Sequence, residues 1–326
     1  MIIEIGAPSS LLLGLTKSTD GHINQLGITL QHPPILMAGQ KHPHLQITGA
    51  RANIAHHYAQ RFIDYHHLDG GVEVDLELAI PAQVGLASDT MLGLSVAKAM
   101  AWCYDLPTDD SLQLAKAIGL PAHEIAAIHG FQQGGLIYAE ITDAEAQQVG
   151  QLKQVSISHD PRKAWAFVLV FPPLPDTLTE THEADAIATL YQAHADLTTE
   201  TGTVVTEHIL PGIENNDLAS FAQAIQQLHD HNQTILGAEK NRSTEAEATL
   251  AIMRDNGAVM CGQMLTGVGL FGLIEGAQAS VDLRRKLRDH LGYFGGTVMA
   301  TITDNRGAQA IEQNTTLKQY VPKNLI

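Results

Sequence analysis

The stretch from Gly71 to Cys103 reads GVEVDLELAIPAQVGLASDTMLGLSVAKAMAWC, and it decides the fold. Its first residues alternate in polarity, which predicts a strand that ends at Pro81. The aliphatic face of that strand consists of Val72, Val74, Leu76, Leu78 and Ile80. After the turn, Asp89 is the expected N-cap of a helix that runs to about Cys103. A strand, a turn and a helix in this order bring free backbone N–H groups and the positive end of a helix dipole together.

The turn itself supports two interpretations. Gly85 would let the backbone approach a ligand, and the hydroxyls of Ser88 and Thr90 could donate to a phosphate. Asp89 could instead ligate a Mg²⁺ ion that bridges to the phosphate. A turn that only caps a core helix explains the same spacing, so both interpretations stay open at this point.

Composition limits the classes of function. The chain has 326 residues, of which 44% are hydrophobic and 17% charged, so it is long enough for two globular domains. The net charge of −16 argues against a general nucleic-acid or anionic-membrane binder, which needs a basic surface. A small anionic ligand remains possible. Two cysteines in apolar runs and an N-terminus without a signal-peptide pattern predict a cytoplasmic protein with reduced thiols.

The rest of the chain continues the mixture of helices and strands. Helical spacing is present at 51–67, 111–120, 183–197, 216–236 and 279–292, and strands are expected near 163–171, 269–276 and 296–304. This order predicts an α+β protein of two domains, residues 1–160 and 161–326.

Two further glycine-containing segments could face a ligand. The first is GQMLTGVGLFGL at 262–273, where Gln263 and Thr266 are the polar side chains; its alternative is a tightly packed core strand. The second is HGFQQGGLIY at 129–138, interpreted as a glycine turn that carries Gln132 and Gln133 before a strand.

Three residues near this second segment are candidates for proton transfer: His123, Glu124 and His129. The chain has 17 histidines, but none of them has the spacing of a transition-metal motif.

Taken in order along the chain, these segments resemble one family. The motifs are SSLLLGL…INQLGITLQHPP, IPAQVGLASDTMLGLSVAKA, HGFQQGGLIY and GAVMCGQMLTGVGLFGL…ITDNRGAQAI. FVLVFPP, Glu183 and LPGIENNDLASFAQAI also fall in the expected order. Together they are similar to the β-ribofuranosylaminobenzene 5′-phosphate synthases of the GHMP kinase superfamily, along nearly the whole chain.

The resemblance implies a fold and a reaction. The N-terminal domain would have a ribosomal-protein-S5-like fold and the C-terminal domain a ferredoxin-like one, and the protein would be a homodimer. The enzyme would join phosphoribosyl pyrophosphate to 4-hydroxybenzoate or 4-aminobenzoate, with loss of pyrophosphate and CO₂, in tetrahydromethanopterin biosynthesis. Mg²⁺ would assist, at Asp89, and no organic cofactor is implied. The residues expected to bind phosphate or ligand are Gly85, Leu86, Ala87, Ser88, Asp89, Thr90, Gln132, Gln133, Gln263, Thr266 and Gly267.

The chain also departs from the family pattern. Ser10 and Leu12 stand where the family has an arginine and a histidine, and GLASDTM at 85–91 replaces a loop richer in glycine. FQQGG and GQMLTGVGLFG likewise lose an acid, a histidine, two serines and a tryptophan. Two alternatives therefore stand beside the synthase: a GHMP small-molecule kinase that uses ATP, and a non-catalytic paralogue that binds a ligand or a partner subunit.

Overall fold

The computed structural model describes residues 1–143, 148–158, 160, 163–174, 182–196, 203–237, 242–292, 295–314 and 317. Its strands are β1 (Ile2–Lys17), β2 (Ile23–His42), β3 (Gln46–Gly49), β4 (Gly71–Leu78), β5 (Leu136–Asp143), β6 (Gln148–Val155), β7 (Trp165–Phe171), β8 (Met260–Gln263), β9 (Leu270–Glu275), β10 (Thr297–Ile302) and β11 (Gln309–Gln313). Its α-helices are α1 (Ala52–His66), α2 (Ser88–Cys103), α3 (Ser111–Ala117), α4 (Ile125–Gln133), α5 (His182–Asp196), α6 (Leu210–Glu214), α7 (Leu218–Leu236), α8 (Thr244–Asp255) and α9 (Ala277–Leu291).

The first sheet is built on the long strand β2. Strand β1 pairs with it antiparallel along most of its length, while β5 pairs with its first part and β4 with its second part. The order through the sheet is β11-β1-β2-β4-β3, and β6 extends it from β5. Since β11 comes from the end of the chain and pairs with β1, the C-terminal residues return to the N-terminal sheet.

The second sheet has four antiparallel strands in the order β10-β7-β9-β8. Strand β7 lies in its interior and is buried along its whole length, as expected for the continuous apolar run WAFVLVF. Helices α8 and α9 contact this sheet, and α7 connects it to β1 of the first sheet. One large apolar cluster includes residues of both sheets, among them Ile5, Leu11, Phe167 and Phe271.

Helix α2 lies in the centre of the N-terminal half. Nearly all its residues from Thr90 to Cys103 are buried, and it contacts β1, β2, α1 and α3. A helix that is apolar on every side can be stable only where it is covered on every side. The surrounding core therefore determines where α2 begins. The position of the preceding turn follows from this.

Two local expectations were wrong. Asp89 is not the N-cap of α2: the cap position is Ala87, in the left-handed conformation, and no side chain caps the helix. Gln132 and Gln133 do not lie in a glycine turn, because α4 continues to Gln133 and the turn begins at Gly134. Within the described part of the chain, both cysteines are free and buried, and none of the helices has the length and apolar character that a membrane span requires.

Candidate active site

The turn between β4 and α2 holds a carboxylate of the chain itself. The Gly85 N–H donates to Oε1 of Glu183 at 2.6 Å, and the Ser88 hydroxyl donates to Oε2 at 3.1 Å. The N–H of Glu183 in turn donates to Oε1 of Gln83 at 3.1 Å. These are the donors expected to serve a phosphate, and the first turn of α5 supplies a carboxyl group that accepts from them. The turn thus presents its donors to oxygen atoms of the kind that an anionic ligand carries.

Positive backbone φ angles shape this turn. Gln83, Gly85 and Ala87 have φ of 62°, 95° and 52°. Only glycine adopts such angles without steric cost, so Gln83 and Ala87 are held there by their surroundings. In this conformation the Gly85 N–H points at the Glu183 carboxyl.

Asp89 forms an ion pair with Arg51. The guanidinium donates to Oδ1 of Asp89, and it also lies 3.5 Å from the carbonyl oxygen of Ile80. The Arg51 side chain is 17% exposed and that of Asp89 is 40% exposed. Asp89 lines a cavity at the start of α2, and Arg51 does not. The guanidinium therefore neutralises the carboxylate from the side that faces away from the cavity.

Glu124 is the third acidic side chain at this place. It ends a short 3₁₀ turn, Ala122–Glu124, directly before α4. Burial is the main reason that the pKa of its carboxyl is raised to about 8; the nearby charges of Glu183 and Asp89 act in the same direction, and a hydrogen bond from Thr90 acts in the opposite one. At neutral pH this carboxyl is therefore mainly protonated.

Glu183 responds to its surroundings differently. Burial raises the pKa of its carboxyl, and the Asp89 charge adds to that, but the bonds from Gly85 and Ser88 and the Arg51 charge lower it. Glu183 thus accepts hydrogen bonds from two groups that favour its ionised form. For Glu124, Thr90 is the donor with this effect. The pKa of both carboxyls is raised, and Glu183 has more groups that oppose the rise.

These groups border one cavity of about 140 Å³ at the start of α2. Its polar lining includes Gln25 and Gln83 as well as the three carboxyl residues. The aliphatic wall comes from Leu12, Ala126, Ala127 and Ile187. An apolar cavity of about 150 Å³ is large enough for benzene. The space therefore has the size of one six-membered aromatic ring.

The glycine-rich segment 262–273 closes one side of the turn. The N–H groups of Val268 and Gly269 donate to the carbonyl oxygens of Gln83 and Val84 at 3.1 and 3.0 Å. A Cβ atom added to Gly267 would lie 2.2 Å from the Gly85 nitrogen. Two backbones at this distance explain why the segment needs glycine.

No protein-family model matches the sequence, and no curated protein matches it. Solved structures do match. A homoserine kinase from Cytophaga hutchinsonii has a TM-score of 0.61 at 12% identity, over 95% of this chain and 97% of that one. The mevalonate kinase of Methanococcus jannaschii has a TM-score of 0.61 at 13% identity, over 94% and 98%. A D-glycero-D-manno-heptose 1-phosphate kinase from Bacteriodes thetaiotaomicron has a TM-score of 0.61 at 14% identity, over 96% and 100%.

This chain has the GHMP kinase fold. The α+β class and the two-domain GHMP architecture expected from the sequence are confirmed at this level. Identities of this size show the fold and not the reaction. The boundary near residue 160 stays a prediction, although the strands do change from the first sheet to the second between Val155 and Trp165.

The GHMP fold brings some of the predicted residues together. Ala87, Asp89, Thr90, Glu124 and Thr266 line the cavity. Gly85 and Ser88 hold Glu183, and Gly267 packs on the turn. Gln263 does not line the cavity. Its amide instead donates to the Gly267 carbonyl oxygen at 3.2 Å, within the same glycine-rich segment.

Other predicted residues lie away from the cavity. His129 is buried in α4, and burial lowers the pKa of its ring. Burial also lowers the pKa of His123, whose carbonyl oxygen accepts a hydrogen bond from Gln25. Gln132 bonds to Ser111 at the start of α3. Leu86 is in the core, and neither it nor Gln133 lines the cavity. The roles assigned to these residues remain predictions.

The sequence does not identify Gln25 and Gln83, which line the cavity, or Arg51, which pairs with Asp89. Each of them contacts a residue that is distant in the chain, so its neighbours in sequence do not mark it. Glu183 was noted only for its order among the motifs. In the part of the chain that the structure describes, no group of three or more metal-binding side chains comes together. Asp89 fits Mg²⁺ poorly, since Arg51 already neutralises its charge.

Proposed function

We propose that this protein is a phosphoribosyl-transfer enzyme of the β-ribofuranosylaminobenzene 5′-phosphate synthase type. It would join phosphoribosyl pyrophosphate to 4-hydroxybenzoate or 4-aminobenzoate, releasing pyrophosphate and CO₂. The observation that carries the proposal is the cavity: it has the volume of one aromatic ring, an aliphatic wall, and three carboxyls beside an anion-binding turn.

Each part of the cavity has a use in that reaction. The bond from the ribose C1 carbon to pyrophosphate breaks, a bond from C1 to the aromatic ring forms, and the ring loses its carboxylate as CO₂. The carboxyl oxygens that border the cavity would stabilise the positive charge that develops at C1. The protonated Glu124 can donate its proton to the oxygen of the leaving pyrophosphate.

The aliphatic wall of the cavity also favours loss of CO₂. It solvates a substrate carboxylate poorly, whereas neutral CO₂ has no charge to solvate. The oxygens of Glu183 and Ser88 are of the kind that Mg²⁺ accepts, and the ion would supply charge neutralisation for pyrophosphate.

The kinase alternative is not excluded by the size of the cavity. Ligand pockets for molecules of drug size usually measure about 300–1,000 Å³. At about 140 Å³ the cavity holds the aromatic ring, whereas phosphoribosyl pyrophosphate and ATP alike must extend beyond it, so the assay below has to separate the two reactions. One observation favours the non-catalytic paralogue, namely that Glu183 already occupies the donors of the turn.

One assay separates the three. The protein is incubated with Mg²⁺, phosphoribosyl pyrophosphate and carboxyl-labelled 4-hydroxybenzoate or 4-aminobenzoate, and pyrophosphate and labelled CO₂ are measured. We expect both products in equal amounts. A parallel reaction with ATP tests for ADP. Thermal stabilisation by the aromatic acid without any product would support the paralogue, and absence of products with either acid would refute the transferase.

The matched variant is Glu124→Gln, which keeps the shape of the side chain but has no acidic proton. We expect it to lower the rate of pyrophosphate release roughly a hundredfold or more while the aromatic acid still binds, because general acids contribute at least this much. An unchanged rate would show that Glu124 is not the proton donor. Glu275→Gln, at the exposed end of β9, is the control and should keep the full rate.

A further inference from the structure

Gln25 joins β2 to the segment that carries Glu124. Its side chain is almost completely buried, with the residue 1% exposed. The amide nitrogen donates to the carbonyl oxygen of His123 at 2.5 Å, and the amide oxygen accepts from the N–H of Ala126 at 3.0 Å. Both ends of one side chain are thus used on two backbone groups that are close in sequence.

These two bonds lie on either side of Glu124. His123 belongs to the 3₁₀ turn and Ala126 to the first turn of α4, so the amide spans the junction of the two helices. The first N–H groups of a helix have no partner inside the helix, and Glu124 at the N-cap position provides no side-chain cap. Gln25, which is about a hundred residues away in sequence, supplies that cap from β2.

We propose that Gln25 is a positioning residue: its amide fixes the backbone on both sides of Glu124 and so holds the Glu124 carboxyl in the cavity beside Thr90. No feature of the local sequence assigns this role. The inference gives the proposed function its fixed proton donor and rests on that function only for the use of the proton. The position of the carboxyl can be tested without any substrate.

The carboxyl is held among groups that oppose its ionisation. Asp89 on α2 and Glu183 on α5 lie close enough to raise its pKa, and Tyr58 on α1 faces the same region. Among the described residues, Thr90 makes the hydrogen bond that opposes this rise. If the backbone at Glu124 is released, its side chain can turn toward water. Its pKa then moves toward the ordinary value.

The test uses Gln25→Met, which conserves volume and removes both bonds. The protonation of Glu124 is followed by carbon NMR of glutamate-labelled protein, with the Glu124 signal assigned by its loss in Glu124→Gln. We expect the titration midpoint of Glu124 to fall by about one pH unit or more. A folded Gln25→Met protein with the wild-type midpoint would overturn the proposal.

A second variant keeps the test decisive if Gln25→Met fails to fold. Gln25→Asn keeps a buried amide, but its side chain is one methylene shorter and cannot reach both the His123 carbonyl oxygen and the Ala126 N–H. The Glu124 midpoint should fall in this variant too. A folded Gln25→Asn protein with the wild-type midpoint would also overturn the proposal.

Asn232→Leu is the matched control. Asn232 is fully buried and joins α7 to β1 through two bonds, accepting from the Leu15 N–H and donating to the Leu15 carbonyl oxygen, each at 3.1 Å. Its loss should lower thermal stability without moving the Glu124 midpoint. An equal shift in this control would mean that the midpoint reports general loosening, which also contradicts the proposal. If the transferase assay fails but the Gln25 shifts appear, the positioning role stands and the reaction is at fault.

Discussion

Replacing Glu124 with glutamine is expected to raise the free energy of unfolding at pH 8 by about 3 kcal/mol or more. The folded protein holds this carboxyl with a pKa of about 8, against an ordinary value of 4.5. Below pH 4.5 the group is protonated in both states. Between pH 4.5 and 8 the folded state binds one more proton than the unfolded state, so stability falls by about 1.4 kcal/mol per pH unit as the pH rises.

The measurement is urea unfolding of both proteins at pH 5, 6, 7 and 8. Glutamine is neutral throughout, so the stability advantage of Glu124→Gln over wild type should grow with pH and level off above pH 8. The difference between the proteins removes most contributions of other titrating groups. Glu275→Gln provides the baseline for removing one carboxyl from a chain of net charge −16. Parallel pH profiles for wild type and Glu124→Gln would contradict the protonated state of Glu124.

Gly267→Ala is expected to cost about 3 kcal/mol or more of unfolding free energy. The added Cβ would lie 2.2 Å from the Gly85 nitrogen, 2.3 Å from the Val84 carbonyl carbon and 2.7 Å from the Gln83 oxygen. All three are backbone atoms, so no side chain can rotate away. The two segments must separate, which breaks the bonds that Val268 and Gly269 make, at about 1 kcal/mol each.

The control is Gly292→Ala at the end of α9. Gly292 has a φ of −53°, and the nearest atom to an added Cβ is 3.4 Å away, so alanine fits. Urea unfolding should show little change for Gly292→Ala and a clearly lower midpoint for Gly267→Ala. A wild-type midpoint for Gly267→Ala would show that segment 262–273 is not packed on the turn.

The elements that carry their own periodicity could be predicted from the sequence. The strand before the turn, the buried helix α2, the buried strand β7 and helices such as α7 lie where their patterns place them. The sequence also marks Glu124, Thr90 and Thr266 as candidates, and all three line the same cavity.

What could not be predicted depends on contacts between distant parts of the chain. Asp89 has the sequence position of a cap, but Arg51, 38 residues earlier, binds its carboxylate. Glu183 reaches Gly85 across 98 residues, and Gln25 reaches Ala126 across 101. Local propensity carries no information about such pairs, since they form only when the sheets and helices have packed.

The contact between Glu183 and the turn has a consequence for selectivity. Under the proposed function, an anionic ligand must displace the Glu183 carboxyl from the Gly85 N–H and the Ser88 hydroxyl before it can bind there. Because Glu183 is part of the same chain, a singly charged buffer ion should displace it poorly, whereas a pyrophosphate group brings several charges. The tethered carboxyl would thus select against weak anions.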